Sequence, residues 1–272
     1  RSEMVRELHQ RYGIRDERIL AAMRKVPRAR FIPPDGGVPV APYGDHPAPI
    51  GHGQTISQPY IVAYMTEKLE IQPGERVLDV GCGNGRLGVF LADQLAAQTP
   101  AVALHYHGMD SDAALLAYAR SALTRLPPAA VTLDRRDIIT DPPDTGQYDL
   151  VALFGVMHHV PGASNRRDLL RDLAARTAPG GLLAFACWRF YEYPRFRDRI
   201  VAWPDDLAGV VERHDYLLDW RRGERALRYC HYVDDAEQAD LLAAAELPVL
   251  TTYRADGRSG DANQYAILRR SH

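Results

Sequence analysis

Apolar residues at the start of this chain fall at helical spacing in two runs: Val5, Leu8 and Tyr12, then Ile19, Leu20, Met23 and Val26. Gly13 separates the runs and Asp16 stands where an N-cap belongs, so the pattern predicts two short helices between Ser2 and Val26. Proline and glycine crowd the stretch from Phe31 to Pro49, which predicts a connecting loop. A helix through Ile61, Met65 and Leu69 follows. Beyond Pro73-Gly74 the rhythm changes to short apolar runs alternating with helical patterns. Strands are predicted around Val77, Leu78 and Val80, then over Leu104–Met109, Val131–Leu133, Tyr148–Phe154 and Leu182–Trp188. Helices are predicted over Arg86–Leu95, Ala113–Leu126 and Arg166–Ala178, and final strands over Val249–Tyr253 and Tyr265–Arg269. This alternation is that of an α/β, doubly wound sheet, in which ligands bind at the carboxyl ends of the strands.

The chain has 272 residues, 46% hydrophobic and 25% charged, ample for one well-buried α/β domain with appendages or two small domains. No apolar run approaches the roughly 20 residues of a membrane helix. The first residues lack a signal-peptide core, so a cytoplasmic protein with no membrane partner is expected. Cys82, Cys187 and Cys230 lack metal-ligand spacing; reduced thiols and no metal are expected. Arginine far outnumbers the lysines, Lys25 and Lys68, but acids bring the net charge to −2. Aromatics and arginines interleave from Trp188 to Arg197, with Trp203 and Trp220-Arg221-Arg222 further on, a composition suited to stacking bases. Between Arg189 and Arg225, however, eight arginines meet eight acids, so no positive field is available to attract RNA. A packed cap at about 189–226 is the expected role of this stretch.

Candidate chemistry centres on Arg76-Val77-Leu78-Asp79-Val80-Gly81-Cys82-Gly83-Asn84-Gly85, which reads as strand, tight glycine turn and helix start. Glycines at 81, 83 and 85 permit positive φ and let backbone approach a ligand, and the helix start offers unpaired N–H groups. The G-x-G-x-G spacing is neither that of dinucleotide folds nor that of phosphate loops.

With Asp79 before the first glycine, the stretch resembles motif I of the class I S-adenosylmethionine (SAM) methyltransferases. The resemblance implies a seven-stranded Rossmann-like sheet with an N-terminal helical extension, SAM as cofactor and S-adenosylhomocysteine as product. It also implies that Asp79 and the turn, Gly81, Cys82, Gly83, Asn84 and Gly85, hold the methionine end of SAM, and that Asp110, beside Ser111, takes the ribose hydroxyls. Asp137 and Ile138 stand where such enzymes place their adenine contact, and Phe154-Gly155 closes the next strand.

The stretch Pro49-Ile50-Gly51-His52-Gly53-Gln54-Thr55-Ile56-Ser57-Gln58-Pro59-Tyr60 is similar to the substrate-side signature of protein-L-isoaspartate O-methyltransferases. The likeness begins at Gly13-Ile14-Arg15-Asp16-Glu17-Arg18 and Met23-Arg24-Lys25-Val26-Pro27-Arg28 and runs through Tyr43-Gly44-Asp45, covering residues 1–75. It implies that Thr55, Ile56 and Ser57 lie across SAM and meet an isoaspartyl carboxylate, with Ser57 and Thr55 catalytic and Gln54 and Tyr60 beside the cofactor. A protein or peptide carrying an isoaspartyl residue is the implied partner.

Residues 76–272 depart from that pattern. Phe154-Gly155-Val156-Met157-His158-His159-Val160-Pro161 and the tail motif Leu227-Arg228-Tyr229-Cys230-His231-Tyr232 resemble the tRNA wobble-uridine carboxymethyl methyltransferases. A natural recombination or an engineered chimera would each produce this division. The resemblance puts His158 and His159 at the substrate, where an alcohol, amine or phenol acceptor would use one as a general base. A carboxylate acceptor, ionised at neutral pH, needs none. The leading expectation is therefore isoaspartyl carboxyl O-methylation. Wobble-uridine esterification, methylation of a small molecule, and SAM binding without turnover are the alternatives. In domain terms, residues 1–72 are expected to wall the substrate pocket and residues 73–272 to bind SAM.

Overall fold

A computed structural model describes residues 1–32, 41–51, 54–69, 74–95, 104–127, 130–220, 226–257 and 259–272, with the backbone alone at 49–51, 54, 55, 69, 94, 95, 125 and 220. The helices come first: α1 spans Ser2–Gln10 and α2 spans Glu17–Lys25. The Asp16 carboxylate accepts the Arg18 N–H and caps α2, as its position predicts. Met4, Val5 and Leu8 of α1 and Ile19, Leu20 and Met23 of α2 pack into one apolar cluster with Ile14, Ala63 and Phe90. The pair β1 (Ala48–Gly51) and β2 (Gln54–Ile56) is antiparallel and leads into α3 (Pro59–Leu69). Much of the predicted loop, residues 33–40, lies outside the described residues, as do His52, Gly53, Pro73, Arg221 and Arg222.

The chain then alternates: β3 (Arg76–Val80), α4 (Arg86–Leu95), β4 (His105–Asp110), α5 (Ala113–Ala122) and β5 (Val131–Arg135). The three strands pair in parallel, and β3 is buried from Val77 to Val80 because helices cover both faces of such sheets. The helix expected to reach Leu126 stops at Ala122 and tightens into a 3-10 turn at Leu123–Arg125. Pro127 disfavours helical geometry at Leu126 before it.

Further along lie β6 (Tyr148–Leu153), α6 (Ala163–Arg176), β7 (Thr177–Trp188), α7 (Pro194–Arg197), β8 (Ile200–Val201), β9 (Asp215–Trp220), β10 (Ala226–His231), α8 (Asp235–Ala244), β11 (Val249–Ala255) and β12 (Asn263–Arg269). Strand β7 starts at Thr177 rather than at the expected Leu182. Tyr148 pairs with Thr177 and Leu150 with Leu182, so Ala178-Pro179-Gly180-Gly181 forms an irregularity inside the strand, with Gly180 at φ +78°. Strand β12 runs antiparallel to β7, and β11 antiparallel to β12. The stretch read as a cap contributes to a separate antiparallel sheet, β8–β9–β10, reaching His231.

The architecture is α/β: β3 to β7, β11 and β12 make a mixed seven-stranded sheet with flanking helices. By internal contacts the chain divides into one unit of residues 1–135 with 256–260 and a second of residues 136–255 with 261–272. No helix among the described residues is long and apolar enough to cross a membrane.

Candidate functional site

In the first unit the strand-to-helix turn after β3 has Gly81, Gly83 and Gly85 at φ +71°, +54° and +75°. All lie in the left-handed region, where an L side chain is strained. The Gly81 and Cys82 N–H groups both donate to the Met109 carbonyl, at 2.8 and 2.9 Å, which ties the turn to the end of β4. Asp110 completes the clamp: one carboxylate oxygen accepts the Gly83 N–H at 2.9 Å and the other accepts the Asp112 N–H at 2.9 Å. Two glycines need their missing Cβ for different reasons. At Gly85 it would sit 3.0 Å from Ala119 Cβ, so α5 packs against it; at Gly83 it would meet nothing within 4 Å, so the turn keeps an open face there.

Asp79 is 4% exposed, and the Tyr106 hydroxyl donates to its Oδ2 at 2.6 Å. The Tyr106 ring reaches this position because Gly88 on α4 has no side chain; a Cβ there would fall 2.7 Å from the ring. Burial pushes the Asp79 carboxyl up to about 6, against the opposing pull of the Tyr106 hydrogen bond and the Arg86 charge. Cys82 is buried, and its thiol is pushed well above its ordinary value, first by burial and then by the charges of Asp79 and Asp110. It is a neutral packing group and not a thiolate nucleophile. Asn84 is half-buried, and Ser111 is exposed, its carbonyl accepting from Arg135 Nε at 3.1 Å.

The segment expected to meet substrate belongs to the same unit. Its anchors are Arg28 and Asp45, neither of them among the expected site residues. The Arg28 guanidinium donates to the Ser57 carbonyl at 2.5 Å, to the His46 carbonyl at 3.0 Å and to the Ile56 carbonyl at 3.5 Å. Asp45 accepts from Gln58 Nε2 at 2.8 Å and from the Tyr60 N–H at 2.9 Å, fixing the start of α3. Ile56 is buried and Ser57 half-buried. The backbones of Gln54 and Thr55 lie in β2, and their side chains fall outside the described residues. Tyr60, expected beside the cofactor, stacks its ring on Tyr12 with centroids 4.3 Å apart. Arg28 and Asp45 both stand inside the motif stretches, but their partners lie 29 and 13 residues away, a pairing no periodicity reveals.

The second unit holds the remaining expected residues. Gly155 follows β6 at φ +73° with open space where a Cβ would point, and the Phe154 ring lies 6.1 Å from that of Tyr265. The His158 and His159 rings are 4.1 Å apart, and His158 meets Trp188 edge-on at 5.1 Å. Burial holds His158 well below its ordinary pKa and His159 down to about 4, with the Arg228 charge adding to both. Both imidazoles are neutral at neutral pH. His159 Nδ1 faces the Tyr229 carbonyl at 3.2 Å. Asp137 is exposed and its carboxylate accepts the Ile139 N–H at 2.9 Å, so it shapes its own turn; Ile138 is half-buried.

An ionic network in this unit centres on the buried Arg166 and His231. Arg166, 1% exposed, reaches Glu237 at 2.6 Å, Glu212 at 2.9 Å and the Val160 carbonyl at 3.0 Å. His231 stands between Asp215 and Glu237, each ring nitrogen 2.6 Å from a carboxylate oxygen. Glu212, Asp215 and His231 bring ligand atoms within 4.8 Å of one another, but these donors already serve Arg166 and the imidazole.

The family model described as protein-L-isoaspartate(D-aspartate) O-methyltransferase matches residues 1–166. The likeness therefore runs well past residue 75, through both glycine-turn acids and as far as α6. A protein-L-isoaspartate O-methyltransferase of Methanoculleus marisnigri is 53% identical over 102 residues, 38% of this chain and 45% of that protein. Protein-L-isoaspartate O-methyltransferase 2 of an Anaeromyxobacter species is 38% identical over 161 residues, 59% and 62% of the two chains. The chain thus spans less than two thirds of the length of these relatives. Among solved structures, a SAM-dependent methyltransferase of Methanosarcina mazei superposes with a TM-score of 0.57 at 16% identity, over 76% of this chain and 97% of that one. That likeness establishes the fold as the Rossmann-like sheet of class I methyltransferases.

Proposed function

Because the chain belongs to the protein-L-isoaspartate(D-aspartate) O-methyltransferase family, we propose that it methylates the carboxylate of L-isoaspartyl residues in proteins or peptides, with SAM as methyl donor. The observation that carries this reading is the Ile56-Ser57 segment, pinned by Arg28 and Asp45 inside the same unit as the glycine turn. The turn suits SAM: its open face at Gly83 leaves room for a ligand, and Asp79 supplies a buried carboxylate. Asp79, Gly81, Gly83 and Asp110 would hold it. When bound, SAM supplies a methyl carbon activated by its sulfonium.

The chain's own work is then to orient the acceptor. An isoaspartyl carboxylate is ionised at neutral pH and needs no proton removed. Holding it in line at a near-attack distance is worth about 7 to 11 kcal/mol. Ser57 directs a hydroxyl hydrogen bond to the carboxylate, and residues 1–72 wall the pocket. The neutral His158 and His159 are not required as bases. The proposed setting is the cytoplasm, where the buried thiols Cys82, Cys187 and Cys230 stay reduced.

The test is methyl transfer from labelled SAM to a short isoaspartyl peptide, with the aspartyl peptide as control. Base-labile methyl ester is expected on the isoaspartyl peptide alone. Ser57→Ala is expected to lower kcat/KM about tenfold, the size of one lost hydrogen bond. Replacing both His158 and His159 by glutamine should cost less. SAM binding with no transfer to the peptide would sink the proposal and make tRNA the next substrate to try. A double-histidine variant that is dead while Ser57→Ala is active would replace the carboxylate with an acceptor that needs a base.

A further inference from the structure

Arg28 stands just after α2, in a 3-10 turn at Arg28–Phe31, and is 7% exposed. A guanidinium so placed would ordinarily face a carboxylate, since a buried charge without compensation is costly. Its hydrogen bonds among the described residues go instead to three backbone carbonyls, those of His46, Ile56 and Ser57. Two of these are consecutive. A fork that grips the carbonyls of both Ile56 and Ser57 holds the two peptide planes that flank the Ser57 Cα, and with them the direction in which the Ser57 side chain leaves the chain. The grip on His46 joins those planes to the loop whose Asp45 holds Gln58 and Tyr60.

The site keeps the cation at a cost. Burial first, and the like charge of Arg86 second, bring the Arg28 guanidinium down to about 10, with Asp45 and Asp256 opposing. It still carries its proton at neutral pH. Arg28 Nε is buried with no partner among the described residues. An apolar side chain of the same length would avoid both penalties and would fill the space, so packing alone does not account for an arginine here. What the arginine adds is donors in a rigid planar array, which neither methionine nor lysine reproduces.

We propose that Arg28 is the positioning residue of the substrate segment, setting the orientation of Ser57 toward the acceptor carboxylate without touching the reacting atoms. The proposal rests on the isoaspartyl reading for its kinetic consequence, and on the hydrogen bonds alone for its structural one. Arg28→Met removes the donors at similar length; Arg28→Lys keeps the charge but not the fork.

Hydrogen exchange followed by mass spectrometry on the full chain provides the structural readout. In Arg28→Met, amides of residues 54–60 are expected to exchange about tenfold faster while those of β3 and α4 keep their rates. SAM affinity by calorimetry should stay within about twofold, and kcat/KM for an isoaspartyl peptide should fall about tenfold. Arg28→Lys should lie between wild type and Arg28→Met on exchange and kinetics, and it decides the matter if the methionine variant does not fold. Unchanged exchange at 54–60 overturns the proposal. So does a loss of SAM affinity in step with peptide turnover, which would make Arg28 a general stabiliser of the unit. If the wild-type chain esterifies no isoaspartyl peptide, the proposed function falls and the exchange experiment alone decides the role of Arg28.

Discussion

Asp79→Asn is expected to weaken SAM binding about tenfold at neutral pH while leaving the fold at least as stable as the wild type. The loss follows from charge: an interaction with an ionised acceptor is worth about 1.5–3 kcal/mol, roughly twice that with a neutral one. The retained stability follows from burial. The Asp79 carboxyl is raised from 3.8 to about 6, so between those values the folded chain holds a proton that the unfolded chain has released. Stability therefore falls as pH rises through that window, by about 3 kcal/mol in total. Asparagine removes this cost and still offers Tyr106 an oxygen to donate to. The same titration predicts that wild-type SAM affinity declines as pH drops through about 6, and that the asparagine variant shows no such slope. Calorimetry between about pH 5 and 8, beside thermal unfolding, reads both quantities. Equal SAM affinity in the two proteins would remove Asp79 from the binding site.

The second large effect is on stability. Arg166→Met should lower the unfolding free energy by about 3 kcal/mol, the low end for breaking a buried ion pair, because Glu212 is 39% exposed and keeps part of its hydration. At this chain length that is a fall in Tm of about 6–12 °C. Glu237 suffers most. Burial alone raises its carboxyl, but the hydrogen bond and charge of His231, together with Arg166, outweigh burial and hold it below the usual carboxylate range. Its contribution is present above the ordinary value of 4.5 and is lost as pH falls through the lowered folded value. In Arg166→Met that acid-dependent loss should shrink along with the stability itself. Thermal unfolding across about pH 3–7 measures it, and a Tm within about 2 °C of wild type would mean that the network contributes nothing net.

The conformation of the glycine turn is legible in the sequence. Val77, Leu78 and Val80 before three alternating glycines dictate a buried strand and a left-handed turn, since only glycine takes φ from +54° to +75° without strain. Asp79 inside β3 and Asp110 at the end of β4 lie near the carboxyl ends of adjacent parallel strands, and it is the family resemblance, not local sterics, that singles them out. The likeness of the first 75 residues was legible too, although the family match extends to residue 166. Element ends are less legible: α5 gives way to a 3-10 turn ahead of Leu126-Pro127, and β7 begins at Thr177 through the Gly180-Gly181 irregularity, because neither feature interrupts the apolar rhythm.

What the sequence determined by itself is therefore the alternation of strands and helices and the conformation of the turn, which follow from sterics and periodicity within a few residues; the acids beside the turn are marked by the family resemblance. Tertiary structure alone decided who holds those groups: Tyr106 on Asp79 across 27 residues, Arg28 on Ser57 across 29, Arg166 on Glu237 across 71. A buried polar group must find a partner wherever the core brings one, and the core is assembled by apolar burial, which is non-directional and leaves no mark in sequence of which donor will meet which acceptor.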